Sequence, residues 1–304
     1  MPRVQVIPLL GVEGRIDHMA VDEAGKRLFL AALGNNTVEV IDLAAGRRVH
    51  TLTGLHEPQG IAYAPGSRRL FVANGQSGSL SVFDAASYQA RGSLPFGDDA
   101  DNLRYDPKEN RVYVGYGSGA IEIFDAGSLK TLGSIRLAGH PESFQLERSG
   151  PRLFVNVPNA GQIAVLDRVK HSVIATWPMQ EARANFPMAL DEADHRLLIG
   201  CRDPAKLLVY DTQTGKVTAS LPMVGDTDDL FYDAARKRLY VSGGEGYLDV
   251  FAQEGPDRYR RISHTSTAPG ARTAFFVPAL SRLYVAVPHR GNQSAALYVY
   301  SLRP

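Results

Sequence analysis

One short segment recurs along the chain and constrains the fold more than any other feature. It reads RLFL, RLFV, RVYV, RLFV, RLLI, RLYV and RLYV, and each copy begins at an arginine: Arg27, Arg69, Arg111, Arg152, Arg196, Arg238 and Arg282. Successive arginines are separated by 42, 42, 41, 44, 42 and 44 residues. A regular spacing of this size is typical of proteins built from one repeated supersecondary unit.

Each repeat carries the pattern of four short β-strands. A segment such as IAYA or LRYD precedes the arginine-led segment, and segments such as SLSVFD and GKVTASL follow it. Alternating β-branched and aromatic residues bounded by Gly, Pro, Asp and Asn are typical of strands and turns. Four strands in roughly 40 residues match one propeller blade. The sequence therefore predicts an all-β fold, a seven-bladed β-propeller with four-stranded blades that forms a single domain over residues 1–304.

The two ends of the sequence complement each other. The last repeat supplies TAFFV, RLYVAV and ALYVYSL but no fourth strand, whereas RVQVIPL precedes the first repeat and has the pattern of a strand. Pairing this segment with the last blade would remove an open sheet edge. We therefore predict that the N-terminal strand closes the last blade. The repeated arginine is expected at the start of each second strand, on a solvated edge.

The pattern RLFVAN…SLSVFD from Arg69 to Asp84 resembles the repeat of YVTN-type β-propeller repeat proteins, and the similarity covers essentially the whole chain. The resemblance implies a propeller and, commonly, export to the periplasm or the cell exterior. It implies little about activity, because propellers serve as binding platforms, scaffolds and occasionally enzymes. The segment MPRVQVIPLL lacks the regions of a signal peptide. An exported and a cytosolic location both stay open.

The composition limits the classes of partner. The formal net charge is +1, from 33 basic and 32 acidic residues, which disfavours nucleic acid held by bulk electrostatics. No apolar run approaches the ~20 residues of a membrane span. A single cysteine, Cys201, excludes an intrachain disulfide and is expected to pack at a strand end. We expect a monomer that binds a small polar molecule or a protein loop.

Two sets of loops differ in chemistry. The turns after the first and third strands contain ordinary turn residues, and five aspartates there are expected to start turns: Asp42, Asp84, Asp125, Asp167 and Asp211. The leading loops, which precede the first strand of each blade, share the other face with the loops between second and third strands. Ten residues before each repeated arginine, they place Asp17, Gln59, Asp101, Glu142, Phe186, Asp228 and Arg272. These residues are expected to surround the mouth of the central channel.

Two interpretations of these acids stay open. In the first, the acids line a wet channel mouth and pair with Arg15, Arg183 and Arg272. In the second, the repulsion between neighbouring carboxylates is offset by a bound ligand or by one divalent ion, Ca²⁺, Mg²⁺, Mn²⁺ or Zn²⁺. The predicted metal ligands are Asp17, Asp101, Glu142 and Asp228.

The remaining candidates are polar side chains in or beside the leading loops. His18 and His140 are candidates for a general acid or base. The candidate ligand contacts are Gln59, Asn102, Arg202, Arg272, His289 and Arg290. The leading prediction is a binding or scaffold propeller whose polar site at the channel mouth recognises a small polar ligand, a metal or a partner loop. The alternative is a metal-assisted hydrolase, lactonase or lyase, similar in outline to gluconolactonase-type and virginiamycin-lyase-type propellers.

Overall fold

The computed structural model describes residues 1–302, so the last two residues of the predicted 1–304 domain lie outside the described range. The first strand is β1 (Arg3–Pro8). Within residues 1–302 the helices are three 3₁₀ turns: Leu33–Asn35, Pro158–Ala160 and Pro278–Leu280. In this part of the chain no helix has the length and apolar composition needed to cross a membrane.

The chain groups into two compact units, and the N-terminal unit contains residues 5–141 and 288–298. It holds three complete antiparallel sheets, in which consecutive strands are neighbours. The strands are β2 (Met19–Asp22), β3 (Arg27–Ala32), β4 (Thr37–Asp42), β5 (Arg47–Leu52), β6 (Pro58–Ala64), β7 (Arg69–Asn74), β8 (Ser79–Asp84), β9 (Ala90–Pro95), β10 (Ala100–Asp106), β11 (Arg111–Tyr116), β12 (Ala120–Asp125) and β13 (Thr131–Arg136).

The C-terminal unit contains residues 1–4, 142–287 and the segment from Val299 onward. It also holds three complete antiparallel sheets with consecutive strands as neighbours. The strands are β14 (Phe144–Leu146), β15 (Arg152–Val157), β16 (Gln162–Asp167), β17 (Ser172–Pro178), β18 (Arg183–Asp191), β19 (Arg196–Asp203), β20 (Ala205–Asp211), β21 (Val217–Pro222), β22 (Thr227–Asp233), β23 (Arg238–Gly243), β24 (Tyr247–Gly255) and β25 (Arg258–Ser266).

The seventh sheet joins strands from the two ends of the sequence. It contains β26 (Ala274–Val277), β27 (Arg282–Val287), β28 (Ala296–Ser301) and β1, in the order β26–β27–β28–β1. The N-terminal strand therefore takes the place of the missing fourth strand. Seven sheets of four antiparallel strands confirm the predicted seven-bladed β-propeller class.

The arginine-led strands are apolar because both of their faces are buried. After the arginine, every side chain of β3, β7 and β15 is buried. A second strand has sheet neighbours on both edges and adjoining blades on both faces, so its sequence is a continuous apolar run rather than an alternating one. The third position of this strand carries a fully buried aromatic ring in four blades: Phe29, Phe71, Tyr113 and Phe154.

The repeated arginine is half-buried rather than solvated, which corrects the prediction. Arg27 donates to the carbonyl of Ala85 at 2.7 Å, and Arg69 donates to the carbonyl of Ala126 at 2.9 Å. Each acceptor follows the third strand of the next blade. Arg152 and Arg196 reach the next blade in the same way, at the Thr212 carbonyl and the Asp257 carboxylate. In these four blades the repeated arginine therefore links neighbouring blades.

Candidate functional site

The leading loops are held against the loops between second and third strands by backbone hydrogen bonds. A glycine N–H of the second loop donates to a leading-loop carbonyl in four blades. The pairs are Gly34 with Arg15, Gly75 with Glu57, Gly117 with Asp99 and Gly244 with Asp226, at 2.8–2.9 Å. The two loop types therefore lie side by side in these blades, as the sequence predicted.

β-Bulges position the side chains of the leading loops. The pairing of first and second strands shifts register at Gln59, Asp101, Phe186 and Asp228. In three of these blades, the residue two positions earlier has a left-handed backbone: Glu57, Ala184 and Asp226, with φ of 51–53°. A bulge leaves one residue without a ladder partner and turns its side chain away from the strand's alternation. The candidate position is therefore structurally specialised, and not only polar.

In the N-terminal unit, His140 lies between two carboxylates. Its Nδ1 is 2.7 Å from the carbonyl oxygen of Gly117, which assigns the proton to Nδ1. Its Nε2 lies 3.5 Å from Asp101 Oδ2 and 3.9 Å from Asp99 Oδ2. The amide of Gln59 donates to Asp99 Oδ1 at 3.0 Å. The structure thus brings together three predicted site residues, Gln59, Asp101 and His140, and adds Asp99.

The cluster shifts the titration of its members. Burial of the imidazole disfavours its protonation, but contacts with the Asp101 carboxylate and the Gly117 carbonyl, with the charge of Asp99, outweigh this effect. Together they raise the pKa of His140 to about 9. Burial, followed by the charge of Asp101, raises the pKa of Asp99, although the nearby imidazolium opposes that rise. His140 is therefore a cation at neutral pH in this arrangement.

We expect the protein to lose stability as His140 loses its proton. Because its pKa is raised from 6.5 to about 9 in the folded state, the stabilisation is complete below pH 6.5 and is lost as the pH rises through about 9. One pKa unit corresponds to about 1.4 kcal/mol, and the partial solvent exposure of the ring reduces the total to roughly 2 kcal/mol. Urea unfolding of the wild type between about pH 6 and about pH 10 measures this loss.

Two variants identify the group responsible for that loss. His140→Gln should remove the pH-dependent component, and Asp101→Asn should remove most of it because the imidazole then lacks its nearest carboxylate. If the His140→Gln protein follows the wild-type stability profile, the stabilisation by the imidazolium is disproved.

Other candidates of the N-terminal unit form separate pairs. Arg15 Nη2 lies 2.7 Å from Asp17 Oδ2, and His18 Nε2 lies 3.8 Å from Asp17 Oδ1. Asp17 is almost fully buried. Its pairing with Arg15 is one of those that the first interpretation of the acids predicted. The three further candidates have local contacts: Asn102 accepts from Arg104 at 3.2 Å, His289 pairs with Glu13 at 2.7 Å, and the Arg290 backbone pairs with Gln293.

In the C-terminal unit, two arginines and two aspartates form a second cluster. Arg202 pairs with Asp228 and donates to the carbonyl of Thr227 at 2.9 Å. Arg272 Nη2 lies 3.0 Å from Asp226 Oδ2, and its Nε lies 3.7 Å from Asp228 Oδ2. The structure therefore brings Arg202, Arg272 and Asp228 together, as two cations against two anions.

An aromatic ring completes this second cluster. The guanidinium carbon of Arg202 lies 3.7 Å from the ring centroid of Phe186, within the range of a cation–π contact. Phe186 occupies the bulge position that carries a carboxylate in other blades. In this blade, the bulge position therefore carries an aromatic ring that contacts the Arg202 cation, instead of a carboxylate.

Three further residues singled out by the sequence are placed as follows. Glu142 lies two residues after His140 in the chain, its backbone N–H donates to the carbonyl of Asn156 at 3.0 Å, and its role as a metal ligand stays a prediction. Arg183, proposed as a partner of the acids, is exposed at the start of β18. Cys201 is fully buried, and burial raises the pKa of its thiol to about 12, which confirms the prediction of a packing residue.

Two members of the clusters, Asp99 and Asp226, were missed by the sequence analysis as site residues. Each lies two positions before a carboxylate that was selected, Asp101 or Asp228. This position recurs in the repeat, two residues before the position of Asp101 and Asp228. Its backbone carbonyl accepts from the glycine of the neighbouring loop in four blades. Examining that second position in every repeat would have found both aspartates.

Comparisons with known proteins identify the fold and no family. No family model matches the chain, and no curated protein matches it, so the resemblance to YVTN-type repeat proteins is not confirmed. A chain of Kuenenia stuttgartiensis hydrazine synthase is similar with a TM-score of 0.79 and 17% identity, covering 91% of this chain and 95% of that one. A chain from a crystal structure of a mitotic checkpoint complex has a TM-score of 0.82 and 12% identity, covering 98% and 92%. At such identities the likeness establishes a β-propeller, a fold that commonly serves as a binding scaffold.

Proposed function

We propose that this protein is a binding propeller whose leading-loop side chains hold a small polar ligand or a loop of a partner protein. The observation that carries the proposal is the pairing of candidate carboxylates with cations of the protein itself. Asp17 meets Arg15, Asp101 meets His140, and Asp228 meets Arg202 and Arg272. Partly buried, paired charges of this kind can exchange their partners for the polar groups of a ligand.

The two clusters, one in each unit, offer different chemistry. Asp99 and Asp101 present acceptor oxygens for hydroxyl or ammonium groups, beside the donor amide of Gln59. Arg202 and Arg272 present guanidinium groups, which bind carboxylates and phosphates through paired hydrogen bonds. The cluster of the N-terminal unit therefore favours a small molecule with hydroxyl or amino groups, and the cluster of the C-terminal unit favours one with a carboxylate or phosphate.

A thermal-shift screen of sugars, polyols, amino acids and dicarboxylates tests the proposal. We expect a ligand that raises the melting temperature of the wild type, and an increase that is lost in Asp101→Asn or Arg202→Gln. Asp84→Asn is the matched control, because the Asp84 carboxylate accepts from the turn residues Ala86 and Ser87 and from exposed Arg91. Binding that survives both leading-loop changes but is lost in Asp84→Asn would disprove the assignment of the site.

A second function is favoured by the orientation of His140. A histidine that binds a metal ordinarily donates its other ring N–H to a carbonyl or carboxylate. His140 has this arrangement, with Nδ1 on the Gly117 carbonyl and Nε2 facing Asp101 and Asp99. These residues suit Mg²⁺, Mn²⁺ or Zn²⁺, and the carboxylates suit Ca²⁺. A bound ion would polarise a carbonyl or activate water in a hydrolase, lactonase or lyase, with His18 as the general acid or base.

Metal addition after chelation distinguishes the two functions. If a metal binds only the folded protein, a hundredfold excess over its dissociation constant adds about 2.7 kcal/mol of stability. Asp101→Asn should abolish that gain, and the gain should increase above pH 9 because a metal must displace the proton of His140. If no metal co-purifies and none of Ca²⁺, Mg²⁺, Mn²⁺ or Zn²⁺ shifts the melt, the metal-assisted function is excluded.

A further inference from the structure

A cavity of about 320 Å³ lies in the C-terminal unit beside the strand pair that closes the seventh sheet. Its walls include Arg236 and Arg238 of the sixth blade, the buried side chains Tyr240 and Val250, and the exposed side chain of Ile262. Met1, Pro2, Ser301 and Leu302 form the opposite side. The cavity lies at the end of the strands opposite to the leading loops, because Arg236 lies in the turn after β22 and Arg238 begins β23.

The cavity arises from the way in which the last blade is completed. In the first, second, fourth and fifth blades, the repeated arginine binds the segment that follows the third strand of the next blade. For Arg238 the next sheet is the seventh, in which β28 and β1 come from distant parts of the sequence. No turn joins these two strands, and they meet through a hydrogen bond from Ser301 N to the Pro2 carbonyl at 3.0 Å.

In the seventh sheet, the backbone carbonyl that follows the third strand belongs to Leu302, and it accepts from Arg236 rather than from Arg238. Arg236 donates to the carbonyl of Leu302 at 3.1 Å, to Ser281 Oγ at 2.8 Å and to Asp233 Oδ2 at 2.9 Å. Asp233 also accepts from the hydroxyl of Tyr240 at 3.2 Å. Arg236 therefore offsets the charge of Asp233, and this carboxylate is not free to neutralise Arg238.

Arg238 is thus a half-buried cation whose side chain makes no hydrogen bond or ion pair among residues 1–302. Burying a guanidinium without hydrogen bonds is unfavourable, and a carboxylate is the group that best matches its paired donors. The neighbouring wall is apolar, formed by Tyr240, Val250 and Ile262. The volume is at the lower limit of the range typical of ligand pockets. We propose that this cavity binds a small organic carboxylate, with its acid group on Arg238 and a short aliphatic or aromatic body on the apolar wall.

Isothermal titration with benzoate and hexanoate tests the proposal, with acetate, benzyl alcohol and hexanol as comparison probes. Both the charge and the apolar body are required, so benzoate or hexanoate should bind at least about tenfold more tightly than acetate or the matching alcohol. Arg238→Gln should weaken that binding by about tenfold or more without affecting folding, since the side chain makes no hydrogen bond or ion pair among the described residues. Ile262→Trp should weaken it by narrowing the cavity.

Arg111→Gln is the matched control, because Arg111 occupies the same position of the repeat in the third blade and does not line the cavity. It should leave benzoate binding unchanged. The proposal is overturned if neither carboxylate binds the wild type, if the alcohols bind as tightly as the acids, or if Arg238→Gln and Arg111→Gln bind equally.

Discussion

A protein that lacks residues 3–9 is expected to melt roughly 10 °C or more below the full chain and to aggregate on heating. This segment forms β1, the outer strand of the seventh sheet, and it buries Ile7 and Leu9 to 1% exposure. Truncating each large aliphatic side chain in a core costs about 2–5 kcal/mol, and in a chain of this size each 1 kcal/mol shifts the melting temperature by about 2 °C. Deletion also exposes the unpaired edge of β28, which favours association between molecules. Scanning calorimetry with light scattering measures both effects.

Point substitutions distinguish the stability contributed by the buried side chains of this segment from that contributed by the backbone pairing of β1. Ile7→Ala with Leu9→Ala should cost about 4–10 kcal/mol. Val4→Ala with Val6→Ala is the matched control on the same segment, because these valines are 50% and 47% exposed, and it should cost less than about 1 kcal/mol. Equal melting temperatures for the two double variants would contradict the role of β1 in the core.

The fold was predictable from sequence because every element of the repeat occurs several times. Five aspartates at the ends of third strands each accept backbone N–H groups from the following turn, as predicted: Asp42, Asp84, Asp125, Asp167 and Asp211. Such turns are local, and a local rule repeated in each blade fixes strand lengths and loop positions. The closure by β1 followed from the one fourth strand that the repeats lack.

The pairing of the candidate charges was not predictable, because it depends on backbone detail that no spacing contains. Asp226 and Asp228 contact both Arg202 and Arg272. The two aspartates lie together around the start of β22, whereas Arg202 is in β19 and Arg272 follows β25, so three segments of the chain form the cluster. Their directions depend on the bulge and on the left-handed φ of Asp226. The repeat gives the position of a residue along its strand, but not which neighbouring side chain it meets.

A buried carboxylate inside a strand was also missed. Glu39 lies in the middle of TVEVID, where its position alternates as an ordinary outward residue of a strand, yet its side chain is fully buried. It accepts hydrogen bonds from Thr37 at 2.7 Å, Thr51 at 2.7 Å and Arg48 at 3.0 Å. Its partners come from its own strand and from β5, so the signal is a cross-strand pairing of polar side chains rather than a pattern within one strand.

Arg48→Met is expected to destabilise the protein by about 3 kcal/mol. Removing one partner of a buried ion pair leaves an uncompensated charge, which costs about 3–5 kcal/mol, and the 30% exposure of the Arg48 side chain favours the lower end. The loss of its second hydrogen bond, to the carbonyl of Leu10 at 2.8 Å, adds to the effect. Urea unfolding at neutral pH measures the difference in free energy of unfolding.

Arg91→Met provides the matched control for burial. Arg91 is also the second residue of a fourth strand, and it pairs with Asp84 at 2.8 Å, a shorter distance than that of Arg48 to Glu39. Its pair is exposed, with 50% and 19% of the two side chains accessible, so its loss should cost only a small fraction of the loss caused by Arg48→Met. Adding Glu39→Gln to Arg48→Met should recover much of the stability, because it removes the unpaired charge while the amide oxygen accepts from one threonine and the amide NH₂ donates to the hydroxyl of the other. If Arg48→Met and Arg91→Met cost the same, or if Glu39→Gln recovers nothing, burial of the carboxylate is not what makes Arg48 important.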